Sequence, residues 1–136
     1  IHSLCYTHGT KEQNTNGMVN VISNPYINII SHPGDGTASL DFEPLVLASK
    51  EHHTLLEINN SSLKPCRNKP EARGNNLEIL RLCKKYEVPV ILGSDAHISF
   101  DIAEYGYALQ LLAETEFPEK LIMNTDVKRF KQYIGK

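Results

Sequence analysis

The chain has 136 residues, 40% of them hydrophobic, enough for one domain with a real core. A formal net charge of −2 and a pI near 6.3 provide no general electrostatic footprint for nucleic acid or membrane. The apolar runs are too short to span a bilayer and no stretch has the layout of a signal peptide. Three cysteines, an odd number without metal-type spacing, suit a reducing compartment, and the expectation is a cytoplasmic protein.

The first residues, "IHSLCY", begin with Ile1 and read like the interior of an apolar strand, so the chain is expected to be a piece of something longer. Three further apolar runs follow: "YINIIS" (26–31), "TLLEIN" (54–59) and "VPVILGS" (88–94), the last with Pro89 at its start, where a strand tolerates it. Their ends are separated by 28 and 34 residues, close to the roughly 30 that a βαβ unit takes. Helices are expected between and after them. "DFEPLVLASKEHH" (41–53) has Asp41 as N-cap, Pro44 in its first turn and His52 and His53 at its end. "NNLEILRLCKKYE" (75–87) aligns Leu77, Leu80, Cys83 and the Lys84 stem. "DIAEYGYALQLLAETE" (101–116) aligns Ile102, Tyr105, Leu109 and Leu112, and a last helix follows Asp126 over roughly 126–134. The polar stretch 61–74 reads as a long loop of the sort that often carries function. Alternation of this kind predicts an α/β fold on a parallel sheet, either doubly wound or part of a (β/α) barrel; four strands and four helices make about half a barrel.

In parallel α/β folds the chemistry gathers at the carboxyl ends of the strands. Here the first strand runs into His32, the second carries Glu57 and Asn59, and the third runs into Asp95 and His97. In an extended segment Asp95 and His97 point the same way, supplying an oxygen and a nitrogen of the kind zinc, manganese and iron accept. Against this, Asp95 can simply cap a turn, His97 can be solvated, and His32 can begin the turn that Pro33 and Gly34 favour. Glu57, inside an apolar run, is costly unless paired or bound. His8, His52 and His53 read as surface or helix-end residues, and Cys83 as core.

Taken together, "IISHPG", "LLEINNSS" and "ILGSDAH", in that order and spacing, with "PEKLIMNTDVKRFKQYI" near the end, resemble the PHP family of metal-dependent phosphoesterases, closest to the small bacterial members with a trinuclear zinc site. The resemblance covers essentially the whole chain and implies the C-terminal half of a distorted (β/α)7 barrel, residues 1–136 forming a single partial domain. It implies His2, His32, Asp95 and His97 as metal ligands, with Asp95 and His97 carrying catalysis. Asn59, Asn60 and Arg67 would line the substrate pocket, the arginine on a phosphate oxygen. Zinc is the implied cofactor, with manganese or iron as alternatives. The implied reaction is hydrolysis of a small phosphate monoester by the intact protein, without nucleic-acid or membrane partners; this piece by itself would be inactive. The family's N-terminal His-x-His pair, two more histidines and a bridging glutamate have no counterpart here, and the open sheet edge would be covered by self-association or by the N-terminal half. The competing reading is a non-catalytic PHP module, a scaffold or a polymerase-associated domain.

Overall fold

The structure is a computed structural model, and it describes residues 9–135. The expected strand around His2, and Cys5 and His8 with it, lies outside those residues. Five α-helices and three strands alternate: α1 (Lys11–Ile22), β1 (Ile29–Ile30), α2 (Phe42–His52), β2 (Leu55–Asn59), α3 (Ala72–Tyr86), β3 (Val90–Gly93), α4 (Gly106–Glu114) and α5 (Val127–Ile134). The strands form one parallel sheet in the order β1-β2-β3, with Ile30 opposite Leu56, Leu56 opposite Val90 and Ile58 opposite Leu92. The chain is therefore α/β, as the alternation predicts.

The pleat sorts side chains between the two sheet faces. Ile30, Leu56, Ile58, Val90 and Leu92 are on one face and join Phe42, Leu45 and Val46 of α2 and Ile79, Leu80 and Cys83 of α3 in the core. The opposite face carries Leu55, Glu57 and Asn59 beside Ile91 and Gly93. Among the described residues, β3 is met on its far side by a single bridge from Val90 to Ile122. There Asn124 takes the place of a backbone: its Oδ1 accepts from Leu92 N–H at 2.7 Å and its Nδ2 donates to Leu92 C=O at 2.9 Å.

Helix α1 has no counterpart among the expected elements. Thr10 and Gln13 form a reciprocal capping box, and its buried side, Asn14, Thr15, Met18 and Ile22, is half polar. That side is held by hydrogen bonds: Asn14 donates to Ser39 C=O, and Thr15 accepts from Asp41 N–H. A hydrophobic periodicity is blind to such a helix. The first strand is shorter than expected because Asn24 starts a turn, accepting from Tyr26 N–H through its side chain and from Ile27 N–H through its carbonyl.

The helix expected over 101–116 is corrected at its start. Ala103 has φ 61° and ends any helical path through Ile102, which is left exposed. α4 begins at Gly106, so its buried side is Ala108, Leu111 and Leu112, and Leu109 faces solvent. α3 starts three residues before expected, at Ala72, and buries Leu77, Leu80 and Cys83 as the spacing requires. No helix among the described residues is long and apolar enough to cross a membrane.

Burial pushes the Cys83 thiol up to about 12, whereas Cys66 is exposed. In a Cys5→Ser background one thiol, Cys66, is expected to react promptly with a disulfide reagent at pH 8, and Cys83 only after denaturant is added. Prompt reaction of both thiols would contradict the burial of α3.

Candidate functional site

Every loop that leaves the carboxyl end of a strand contributes to one rim. The first, residues 31–41, holds His32. Its backbone turns into the left-handed region at φ 38°, and its N–H donates to Glu57 Oε2 at 2.6 Å. The ring Nδ1 is 3.2 Å from Asp35 Oδ2, with the histidine side chain 11% and the aspartate 3% exposed. Asp35 is the centre of this loop. Its Oδ1 accepts from the N–H and hydroxyl of Thr37, and its Oδ2 from Lys69 Nζ at 2.6 Å. Burial pushes the Asp35 carboxyl up, but the bonds from His32, Lys69 and Thr37 outweigh it and hold the group well below the usual carboxylate range. The same bond to Asp35 raises His32 above the ordinary imidazole value, against the effect of burial.

The second loop, expected over 61–74, is two 3-10 turns, Ser61–Leu63 and Pro65–Arg67, followed after four residues by α3. The two asparagines that precede it are buried and organise backbone. Asn59 Oδ1 accepts from the N–H and hydroxyl of Ser62, and its Nδ2 donates to Glu57. Asn60 Oδ1 accepts from Tyr107 and Ala108 N–H, at 2.9 and 3.0 Å, so a residue at the end of β2 caps α4. Asn60→Ala is expected to lower stability by about 1–3 kcal/mol, the sum of a lost cap and a small void, read by urea denaturation. A loss under about 0.5 kcal/mol would mean that α4 does not depend on that cap.

In the third loop β3 ends at Gly93, and Asp95 stands at φ 51°. The pair expected from an extended backbone is therefore formed by a left-handed turn instead. His97 Nε2 is 3.6 Å from Asp95 Oδ1, with the aspartate side chain 34% and the histidine 72% exposed. Non-glycine residues rarely take positive φ, and two of the candidate ligands do so at the ends of their strands.

Two ion pairs fasten these loops together: Lys69 to Asp35 across the first and second, and Lys64 to Asp101, at 2.6 Å, across the second and third. Beside Lys69 lies a cavity of about 70 Å³ lined by Ser61, Ser62, Arg67, Lys69 and Asp95. A larger cavity of about 330 Å³, lined by Asp35, Gly36, Thr37, Asn68, Lys69, Pro70 and Glu71, shares Lys69 with it. The rim thus combines two cations and two serines with the Asp95 carboxylate. Arg67 and Asp95, both singled out in the sequence, meet there; Asn59 and Asn60 sit beneath the rim rather than among the lining residues. Asp35 and Lys69 were not singled out. The run His-Pro-Gly-Asp-Gly-Thr was a usable sign for Asp35, because aspartate before glycine and threonine accepts bonds from the following turn. Lys69 had no local signature.

As for a metal, histidine nitrogen and aspartate oxygen are suitable donors, and a carboxylate on the remote ring nitrogen is how ligating histidines are usually oriented. The His32–Asp35 pair fits that chemistry, and Asp95 and His97 offer an oxygen and a nitrogen donor 3.6 Å apart. Among the described residues, however, no three His, Cys, Asp or Glu side chains form a group that could hold an ion.

The molecule so described is an α/β protein with a polar, cation-bearing site on the carboxyl rim of a parallel sheet. Over its length it is similar to proteins named as probable phosphatases. One from Clostridium novyi is 42% identical over 134 residues, covering 98% of this chain and 54% of that protein. Those of Acetivibrio thermocellus and Caldicellulosiruptor bescii are 39% and 40% identical, covering 98% of this chain and 54% and 55% of theirs. The chain spans about half the length of the curated relatives it matches. No family model matches it.

Proposed function

We propose that the intact protein hydrolyses a phosphate monoester with the help of bound metal, and that this segment is part of a PHP-type barrel supplying one side of the site. The observation that carries the reading is the rim itself: Asp95 lines a cavity with Arg67, Lys69 and two serines, His97 stands next to Asp95, and His32 is joined to Lys69 through Asp35. The similarity to probable phosphatases supports it. So does the sheet, whose helix-packed side is wholly apolar while the other side carries Glu57 and Asn59, as the inner wall of a barrel would.

On this reading His32, Asp95 and His97, with His2 and donors beyond this segment, hold zinc, manganese or iron. When bound, such an ion supplies Lewis-acid polarisation of the phosphoryl oxygens and a more acidic water. The chain's own residues do the rest. Asp35 fixes the His32 ring, Glu57 holds the backbone of the His32 turn, and Arg67 neutralises and orients the phosphate. The deciding experiment is an assay of the intact protein, loaded with zinc or manganese, on a panel of phosphomonoesters, beside its Asp95→Asn variant. Turnover that drops by about 100-fold or more in the variant is expected, since a ligand and its charge are lost together. A metal-loaded protein that leaves every ester intact would end the phosphatase reading and favour the scaffold module instead.

A further inference from the structure

The two rim cavities differ in what they can hold, and Lys69 stands between them. The smaller, lined by Arg67, Lys69, the two serines and Asp95, has cations and hydroxyl donors for an anion that outnumber its single carboxylate, and a volume near 70 Å³ that admits little more than a phosphoryl group. The larger is at the lower end of the ~300–1,000 Å³ usual for small-ligand pockets. Its lining has the Glu71 carboxylate, the Asn68 amide and the Thr37 hydroxyl, while the Asp35 oxygens there are already taken by Thr37, Lys69 and His32. It contains no aromatic ring and only Pro70 as an apolar side chain. A nucleobase or phenyl ring would find nothing to stack on there. A hydroxyl- or ammonium-bearing chain would find acceptors.

We infer, resting on the phosphatase reading above, that the larger cavity seats the alcohol portion of the ester, that this alcohol is a polyol or amino alcohol rather than an aromatic one, and that Lys69 is the residue that positions the ester across the two cavities. The bond from Lys69 to the buried Asp35 holds the ammonium at the boundary, and through Asp35 the same contact reaches the ring of His32. Gly36, at φ 85°, lets Glu71 pack close against the first loop, a Cβ there being 3.2 Å from that of Glu71.

The test is a ¹H–¹⁵N titration of the intact protein, stripped of metal, so that binding is read apart from turnover. The probes are inorganic phosphate, ribose 5-phosphate and p-nitrophenyl phosphate. All three are expected to shift the amides of Ser61, Ser62, Arg67 and Lys69. Ribose 5-phosphate alone should extend the shifts to Gly36, Thr37 and Asn68. Lys69→Met should weaken ribose 5-phosphate by about tenfold, the usual size of one charge-assisted contact, and Lys69→Arg should restore most of it. Unshifted core amides in both variants would show that the fold is kept. Shifts confined to the smaller cavity for every probe, or tighter binding of the aromatic ester, would overturn the assignment of the alcohol. Equal binding by Lys69→Met would overturn the role of Lys69, and no shift with any probe would overturn the whole inference. Failure of the phosphatase reading is a different result: these shifts would persist while the metal-loaded intact protein turned nothing over.

Discussion

Asp35→Ala is expected to cost the fold about 3 kcal/mol, close to the largest effect available to a single side chain outside the apolar core. The carboxylate is 3% exposed and accepts from Lys69 Nζ, Thr37 N–H and Thr37 Oγ1, with His32 Nδ1 at 3.2 Å. Deleting it leaves a lysine and a buried turn without their acceptor, and such uncompensated groups cost more than the intact bond contributes. Lys69 is about a third exposed, so water recovers part of its loss, which places the figure at the lower end of the range for broken buried pairs. Asp35→Asn keeps the volume and some acceptor capacity and should fall between. If His32 holds a metal as proposed above, the alanine variant of the intact protein is also expected to lower metal affinity by about 10–100-fold, since the ring loses the group that orients it. Denaturation in urea and metal analysis of the dialysed protein read the two effects. A stability change below about 0.5 kcal/mol, with metal content unaltered, would mean that the His32–Asp35–Lys69 network does not form.

Gly93→Ala is expected to cost about 2–4 kcal/mol. A Cβ at that position would stand 1.6 Å from Glu57 Oε1 and 2.6 Å from Cδ, too close for either atom to remain. Glutamate is flexible and can rotate away, so the protein is expected to fold. Rotation, however, breaks the bonds that its Oε2 accepts from His32 N–H and Asn59 Nδ2. The cost is thus paid in hydrogen bonds to a charged group rather than in backbone strain. The double variant with Glu57→Ala isolates the cause: once the carboxylate is gone, adding the methyl should cost far less than it does alone. Additivity of the two substitutions within about 0.5 kcal/mol would show that Glu57 does not occupy the space over Gly93. Because Glu57 also holds the His32 turn, Gly93→Ala should impair any metal bound by His32.

The strands and α3 were legible because burial repeats along them. Leu77, Leu80 and Cys83 recur at helical spacing, and β2 is a short apolar run in which Leu55, Leu56 and Ile58 are all buried. The same rule misplaced the buried side of α4. Ile102 and Leu109 are apolar and helically spaced, but a left-handed residue at Ala103 and the cap from Asn60 start the helix at Gly106. It overlooked α1, whose buried side uses asparagine and threonine; there the capping-box residues Thr10 and Gln13 were the better sign.

By itself, then, the sequence determined the parallel α/β alternation and the placing of His32, Asn59 and Asp95 at or just past strand ends, because both follow from contacts and periodicities within a few residues. It also brought His97 next to Asp95, two positions away. The tertiary structure alone decided that Lys69 reaches Asp35 across 34 residues, that Asn60 caps a helix 47 residues further on, and that Gly93 makes room for Glu57 from the neighbouring strand. These pairings leave no mark in local order. They exist only once the sheet register and the loop paths are set, because each joins groups that folding, and not the chain, makes neighbours.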